Sequence, residues 1–147
     1  MIVSSPQPFP DLEAALIEWA ADNVVELISD DPVNYRFKHV GDELPSAYRK
    51  RLPFLVISVT GGPTDGLTWY ARVRLDMHAE ERSTARRVLA ETFARMGSYP
   101  RRFSGVSADT VEVAMWPARS EQNEPDDSTA VCFSGELNIS VRRQKGT

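Results

Sequence analysis

The chain holds one cysteine, Cys132, and two histidines, His39 and His78, among its 147 residues. A single cysteine forms no internal disulfide, so the core must hold the fold, and nothing points to an oxidising compartment. There is no Cys-x-x-Cys, His-x-x-x-His or Gly-x-Ser-x-Gly spacing, and with them go the common zinc, metalloprotease and serine-hydrolase signatures. No Gly-x-x-x-x-Gly-Lys-Ser/Thr loop is present to cradle phosphates. No segment approaches the roughly 20 apolar residues that a membrane helix requires. The opening residues, Met1 to Pro8, carry no basic region and no apolar run of signal-peptide length. The expectation is a soluble protein made in the cytosol, with no membrane contact.

What is there is ordinary for one globular domain. A chain of this length buries roughly two thirds of the surface its unfolded form exposes and needs no metal staple. Hydrophobic residues at 41% and charged residues at 26% are enough for a core, which argues against chain-wide disorder. A net charge of −4 argues against non-specific attraction to nucleic acid or anionic membrane. Residues 1–50 carry nine acids and four bases, residues 51–147 twelve acids and thirteen bases. That asymmetry suits head-to-tail self-association.

Periodicity gives the elements. Leu12, Leu16, Trp19, Ala20, Val24, Leu27 and Ile28 recur at three- and four-residue spacing, which predicts a helix capped by Asp11 and stopped by Ser29 to Pro32. Residues 33–40 alternate weakly and read as a short edge strand. Phe54 to Ile57 is apolar on both faces, as in a covered strand, and Gly61 to Gly66 turns the chain. Residues 68–78 alternate strictly, with Trp69, Ala71, Val73, Leu75 and Met77 on one face and Tyr70, Arg72, Arg74, Asp76 and His78 on the other. A second helix is predicted from about residue 80 to Met96, ended by Gly97. Val111, Val113 and Met115 are assigned to one face of a further strand, and Val131, Phe133, Leu137, Ile139 and Val141 to one face of the last. Between them, 117–128 is a long polar, acidic loop, and 143–147 is a basic tail. The reading is a single α+β domain over 1–147, with a core from about 10 to 143. Two helices pack on a largely antiparallel, possibly mixed sheet of four to five strands.

Candidates for chemistry are few. Cys132, in Ala130-Val131-Cys132-Phe133, reads as a small buried hydrophobe. Asp76 and His78 point the same way from a strand, with Glu80 just beyond, and together offer oxygen and nitrogen ligands to a metal. A zinc site takes three or four protein ligands, so a solvated strand end is the competing reading. Arg101 and Arg102 follow the second helix, while Arg142, Arg143 and Lys145 close the chain, forming either solvated surface or contacts to DNA or an acidic partner. Tyr70 beside Arg72 and Arg74 has the composition that interfaces favour, and Trp116 fits core or interface.

The succession as a whole carries a resemblance. The first helix ends near Asp30, and Leu52-Pro-Phe-Leu-Val-Ile-Ser-Val-Thr-Gly-Gly62 follows. Then come Ala71-Arg-Val-Arg-Leu-Asp-Met-His-Ala-Glu80, an Arg- and Ala-rich helix, and Phe133-Ser-Gly-Glu-Leu-Asn-Ile-Ser-Val-Arg142. Over roughly residues 10 to 143 this resembles the tail terminator (tail completion) proteins of long-tailed bacteriophages, particularly those infecting actinobacteria. The resemblance implies a virion structural protein of the tail-neck region, assembled in the host cytoplasm. It would form a homo-hexameric ring on the tail tube protein, stop tube polymerisation and dock the head-completion (neck) protein. DNA would pass through the lumen without specific binding. The resemblance implies no catalytic residue, no metal and no cofactor. On this reading Tyr70, Arg72, Arg74, Glu121, Glu124, Asp126 and Asp127 contact the next subunit or the tube, and Arg101, Arg102, Arg142 and Arg143 face the lumen. The alternatives are a head–tail connector of the same neck, or a small metal- or ligand-binding enzyme domain around Asp76 and His78.

Overall fold

The computed structural model describes residues 8–24, 27, 39–124 and 130–143. In chain order the elements are α1 (Leu12–Asn23), β1 (Val40–Gly41), β2 (Phe54–Val59), β3 (Thr68–Ala79), α2 (Arg82–Gly97), β4 (Arg102–Phe103), β5 (Val106–Arg119) and β6 (Val131–Arg142). The strands form a six-stranded sheet in the order β1-β2-β3-β6-β5-β4, parallel between β1 and β2 and antiparallel elsewhere. The α+β class is as expected. The strand count exceeds the expectation because β4, in a stretch read as loop, has only two residues, too few to leave an alternating pattern. Of the edge strand expected over 33–40, only its end falls within the described residues, as β1.

Asp11 caps α1, its Oδ1 accepting from the Ala14 N–H at 3.1 Å. The helix stops at Asn23, earlier than the apolar stripe suggests. Arg95 of α2 donates to the Asn23 carbonyl at 2.5 Å, and the Leu27 N–H turns instead to the Val24 carbonyl at 2.9 Å. A residue 72 positions away thus takes the acceptor that the next helical turn would use. Ile28 and the expected stop at 29–32 lie outside the described residues.

Strict alternation along β3 and β6 gives the sheet two unlike faces. Leu55 and Ile57 of β2, Ala71, Val73, Leu75 and Met77 of β3, and Leu137, Ile139 and Val141 of β6 are buried in one core with both helices. On this face α1 contacts β1, β2 and β4, and α2 contacts β3, β5 and β6. Each fully buried side chain, such as Leu16 or Leu89, contributes about 1.5–3 kcal/mol. Gly135 permits the closest approach of α2, since a Cβ there would stand 2.5 Å from the Phe93 ring.

The two long sides of the sheet are treated differently. Beyond the short β1, the Val59 N–H of β2 donates to the Glu13 carboxylate of α1 at 2.8 Å, so a side chain occupies that edge. At the other side β4 covers only Val106 and Ser107, and the outer edge of β5 beyond them pairs with no strand among the described residues. β5 runs on to Arg119, past the loop start expected at Pro117. A proline is tolerated there because an edge strand needs no outward N–H.

Candidate functional site

Among the described residues, no α-helix packs on the second face of the sheet. Register places its side chains in rows that cross β3, β6 and β5: Tyr70–Ser140–Thr110, then Arg72–Asn138–Glu112, then Arg74–Glu136–Met115. The first two rows floor a groove of about 740 Å³, walled by Thr60 and Pro63 of the β2–β3 connection on one side and Asp109 on the other. Gly62 makes that wall possible. Its φ of +133° is open to glycine, and a Cβ there would meet the Tyr70 carbonyl at 2.0 Å.

Of the residues expected at an interface, the structure brings Tyr70 and Arg72 into this groove. The Tyr70 hydroxyl donates to Asp65 Oδ2 at 3.1 Å, and the same carboxylate accepts from the Thr68 and Leu67 N–H groups at 2.8 and 3.0 Å through Oδ1. Those backbone bonds, Thr68 foremost, hold the Asp65 carboxyl below the usual range, and the bond to Asp65 pushes the Tyr70 phenol up. Arg72 is exposed and has no hydrogen bond or ion pair from its side chain among the described residues. Arg74 is spoken for, 3.2 Å from Asp76 and 3.7 Å from Glu136.

The far end of this face is closed by the chain itself. A 3₁₀ turn at Glu121–Asn123 folds back over it: Asn123 Nδ2 donates to Asp76 Oδ1 at 3.4 Å and to Ser134 Oγ at 3.3 Å. Glu124 joins Arg119 at 3.0 Å and accepts from the Cys132 N–H at 3.3 Å. Arg119 accordingly holds the Glu124 carboxyl below its usual range. Of the acidic loop, Glu121 is exposed and Glu124 is engaged within the chain, while Asp126 and Asp127 lie outside the described residues.

Beneath this strap, His78 and Cys132 are buried with Nε2 and Sγ 3.8 Å apart. Burial pushes the thiol up to about 12 and the imidazole down, so near neutral pH the pair is a thiol and an uncharged ring. Ser134 Oγ donates to Asp76 Oδ1, completing a buried polar row. Asp76 and His78 do share a face, as expected, but among the described residues no three His, Cys, Asp or Glu side chains are grouped to hold a metal ion. Glu80 is exposed, beyond the strand end.

Of the arginines expected to face a lumen, Arg101 and Arg142, distant in sequence, converge on Asp109 at the opposite end of the sheet, while Arg143 contacts Gly66 and Phe9. Arg142 Nε donates to Asp109 Oδ2 at 2.9 Å, and Arg101 Nη1 reaches the Asp109 carbonyl at 3.4 Å. Arg143 Nε donates to the Gly66 carbonyl at 2.6 Å and its guanidinium lies 4.3 Å from the Phe9 ring centroid. The tail beyond Arg143 is outside the described residues.

The exposed apolar residues of β5 are read from the sequence only in part, with Trp116 as core or interface and Val113 and Met115 on one face. Val113, Met115 and Trp116 of β5 are 50%, 41% and 60% exposed. Val113 and Met115 do not share a face as expected. A bulge between them shifts the register, so Val113 pairs with Leu137 and Met115 with Glu136, on opposite sides of the sheet. Trp116 returns to the helix side, its ring edge-on to Phe93 at 6.0 Å.

No family model matches the chain, and no curated protein is similar to it at a significant level.

Proposed function

We propose that this chain is a virion structural protein, a tail terminator that forms a ring on the last ring of tail-tube subunits. It halts tube growth and presents the docking surface for the head. A closed ring needs two different patches on each subunit, because its contacts are heterologous. The observation that carries the reading is the open, polar, groove-bearing sheet face on one side of the subunit together with the exposed apolar strand edge on the other. The one cysteine is not a candidate nucleophile. A thiol at about 12, sealed under the 121–124 strap, is no nucleophile at neutral pH.

Electron microscopy of particles from a phage lacking this gene tests the reading. Overlong, headless tails beside DNA-filled heads are the expected result. Tails of normal length lying unattached would move the protein to a head–tail joining role, and normal infectious particles would overturn the reading.

A further inference from the structure

We propose that the groove binds a short zwitterionic peptide, with the ligand's carboxylate on Arg72, its ammonium on Glu112 and its amide over Asn138. This goes beyond the ring reading and needs no second copy of the chain. The three residues form one row across the bare face, since Asn138 stands in register with Arg72 on one side and Glu112 on the other. Pairing of β5 with β6 is unbroken from Thr110 to Val113, so Glu112 stands on the same side as Asn138, while Val111 and Val113 take the helix side. All three residues line the groove.

Their side chains have no partners to give up. Of the charged residues lining the groove, Asp109 is held by Arg142 at 2.9 Å. Arg72 and Glu112 are exposed, and neither side chain has a hydrogen bond or ion pair among the described residues. The half-buried Asn138 amide is equally free among them. The neighbouring row shows that charges on adjacent strands do pair, for Arg74 lies 3.7 Å from Glu136. In the Arg72 row the adjacent place is taken by Asn138, and the opposite charge stands one strand further on. Two inter-strand spacings set the backbones of Arg72 and Glu112 roughly 10 Å apart.

That spacing selects the ligand. A free α-amino acid carries both charges at one carbon and is too short to bridge the row. An extended dipeptide spans about 7 Å, which fits between a guanidinium and a carboxylate leaning in from either side. Its central amide offers an N–H and a C=O to a carboxamide that holds both an acceptor and a donor. A carboxylate on a guanidinium is the two-pronged, charge-assisted pairing that arginine makes best. The exposed Tyr70 ring stands in the next row, beside the carboxylate end, where a ligand side chain would lie. Water screens both ion pairs at these exposed positions, so the affinity is modest.

Titration of the full chain with alanyl-alanine at neutral pH, followed by nitrogen–proton correlation NMR, tests this. Saturable shifts are expected at Arg72, Asn138 and Glu112. Arg72→Gln and Glu112→Gln, each checked for folding by circular dichroism, are expected to bind about tenfold more weakly, the loss of one charge-assisted bond. Capping the peptide removes the same contacts with the protein unaltered. N-acetylation deletes the ammonium and C-amidation the carboxylate, and each is expected to weaken binding about tenfold. Free alanine is expected to do no better than the capped peptides. Absence of saturable shifts at the row, variants that bind as tightly as the wild type, or capped peptides or alanine that bind as tightly as alanyl-alanine would each overturn the inference.

Discussion

Replacing Gly135 by alanine tests how closely α2 is drawn onto the sheet. The added Cβ would stand 2.5 Å from Phe93 Cζ, 3.0 Å from Cε2 and 3.1 Å from the Met115 carbonyl oxygen. Ordinary carbon contacts begin near 3.5 Å, so the ring must retreat by about 1 Å. Phe93 is only 3% exposed and packs edge-on to Trp116, so it has little room to move. Overpacking of this kind costs about 1–3 kcal/mol. Removing a glycine from a strand returns about 0.5–1 kcal/mol. The net expectation is a loss of about 1–2 kcal/mol, which lowers Tm by roughly 3–8 °C for a domain of this size. Urea unfolding followed by circular dichroism reads the loss directly. The cause is isolated by repeating Gly135→Ala in a Phe93→Leu background, where the ring is gone and the cost is expected to fall by about 1 kcal/mol or more. An equal cost in both backgrounds would refute the clash, and so would a Gly135→Ala chain as stable as the wild type.

Leu16→Ala, at a fully buried position, is expected to cost about 2–5 kcal/mol in the same assay, whereas Leu67→Ala, 76% exposed in the wild type, stays within about 0.5 kcal/mol. Comparable losses at the two positions would contradict the burial described. With its thiol held at about 12, Cys132 is expected to resist Ellman's reagent at pH 8 in the folded chain and to react over a hundredfold faster in denaturant, where a free thiol ionises near 8.5. Rapid labelling of the native chain would mean that the 121–124 strap does not seal it. Burial lowers the His78 pKa in the folded state, so the unfolded chain takes up its proton first as the pH falls. That contribution to stability is present above about 6.5 and is lost as the pH drops below it. His78→Gln is expected to flatten the stability change between pH 7 and pH 5.5, and an unchanged slope would assign it to other groups.

The elements with long periodic patterns were legible in the sequence, because one residue type repeats wherever one face is buried. The strict alternation from Thr68 to His78 located β3 and separated Tyr70, Arg72 and Arg74 from the core side before any neighbour was known. The Asp11 cap and the buried stripe of α2 were equally visible. Features set by distant partners were not. The end of α1 depends on Arg95, and the faces of Val113 and Met115 depend on a bulge measured against β6. The burial of His78 and Cys132 depends on a strap from another part of the chain, and the groove itself needs three strands in register. The convergence of Arg101 and Arg142 on Asp109 follows from the antiparallel pairing of β5 with β6, which no spacing within either segment encodes.

The distribution of ion pairs over the bare face bears on where association energy would come from. Arg74 is already satisfied by Asp76 and Glu136, and Glu124 by Arg119, so a partner docking at that end would have to displace bonds that exist. Arg72, in the groove, has no such bond to lose among the described residues. Desolvating it is costly in the free chain's terms and is compensated only when an aromatic or anionic group arrives, which concentrates the gain in one place and makes each contact modest. Modest head-to-tail contacts have a particular consequence for a ring. A closed ring has one more contact than an open chain of the same number of subunits, and subunits already held on a template meet at a high effective concentration. On the proposed ring reading, such contacts would hold subunits weakly when free and more firmly on a template.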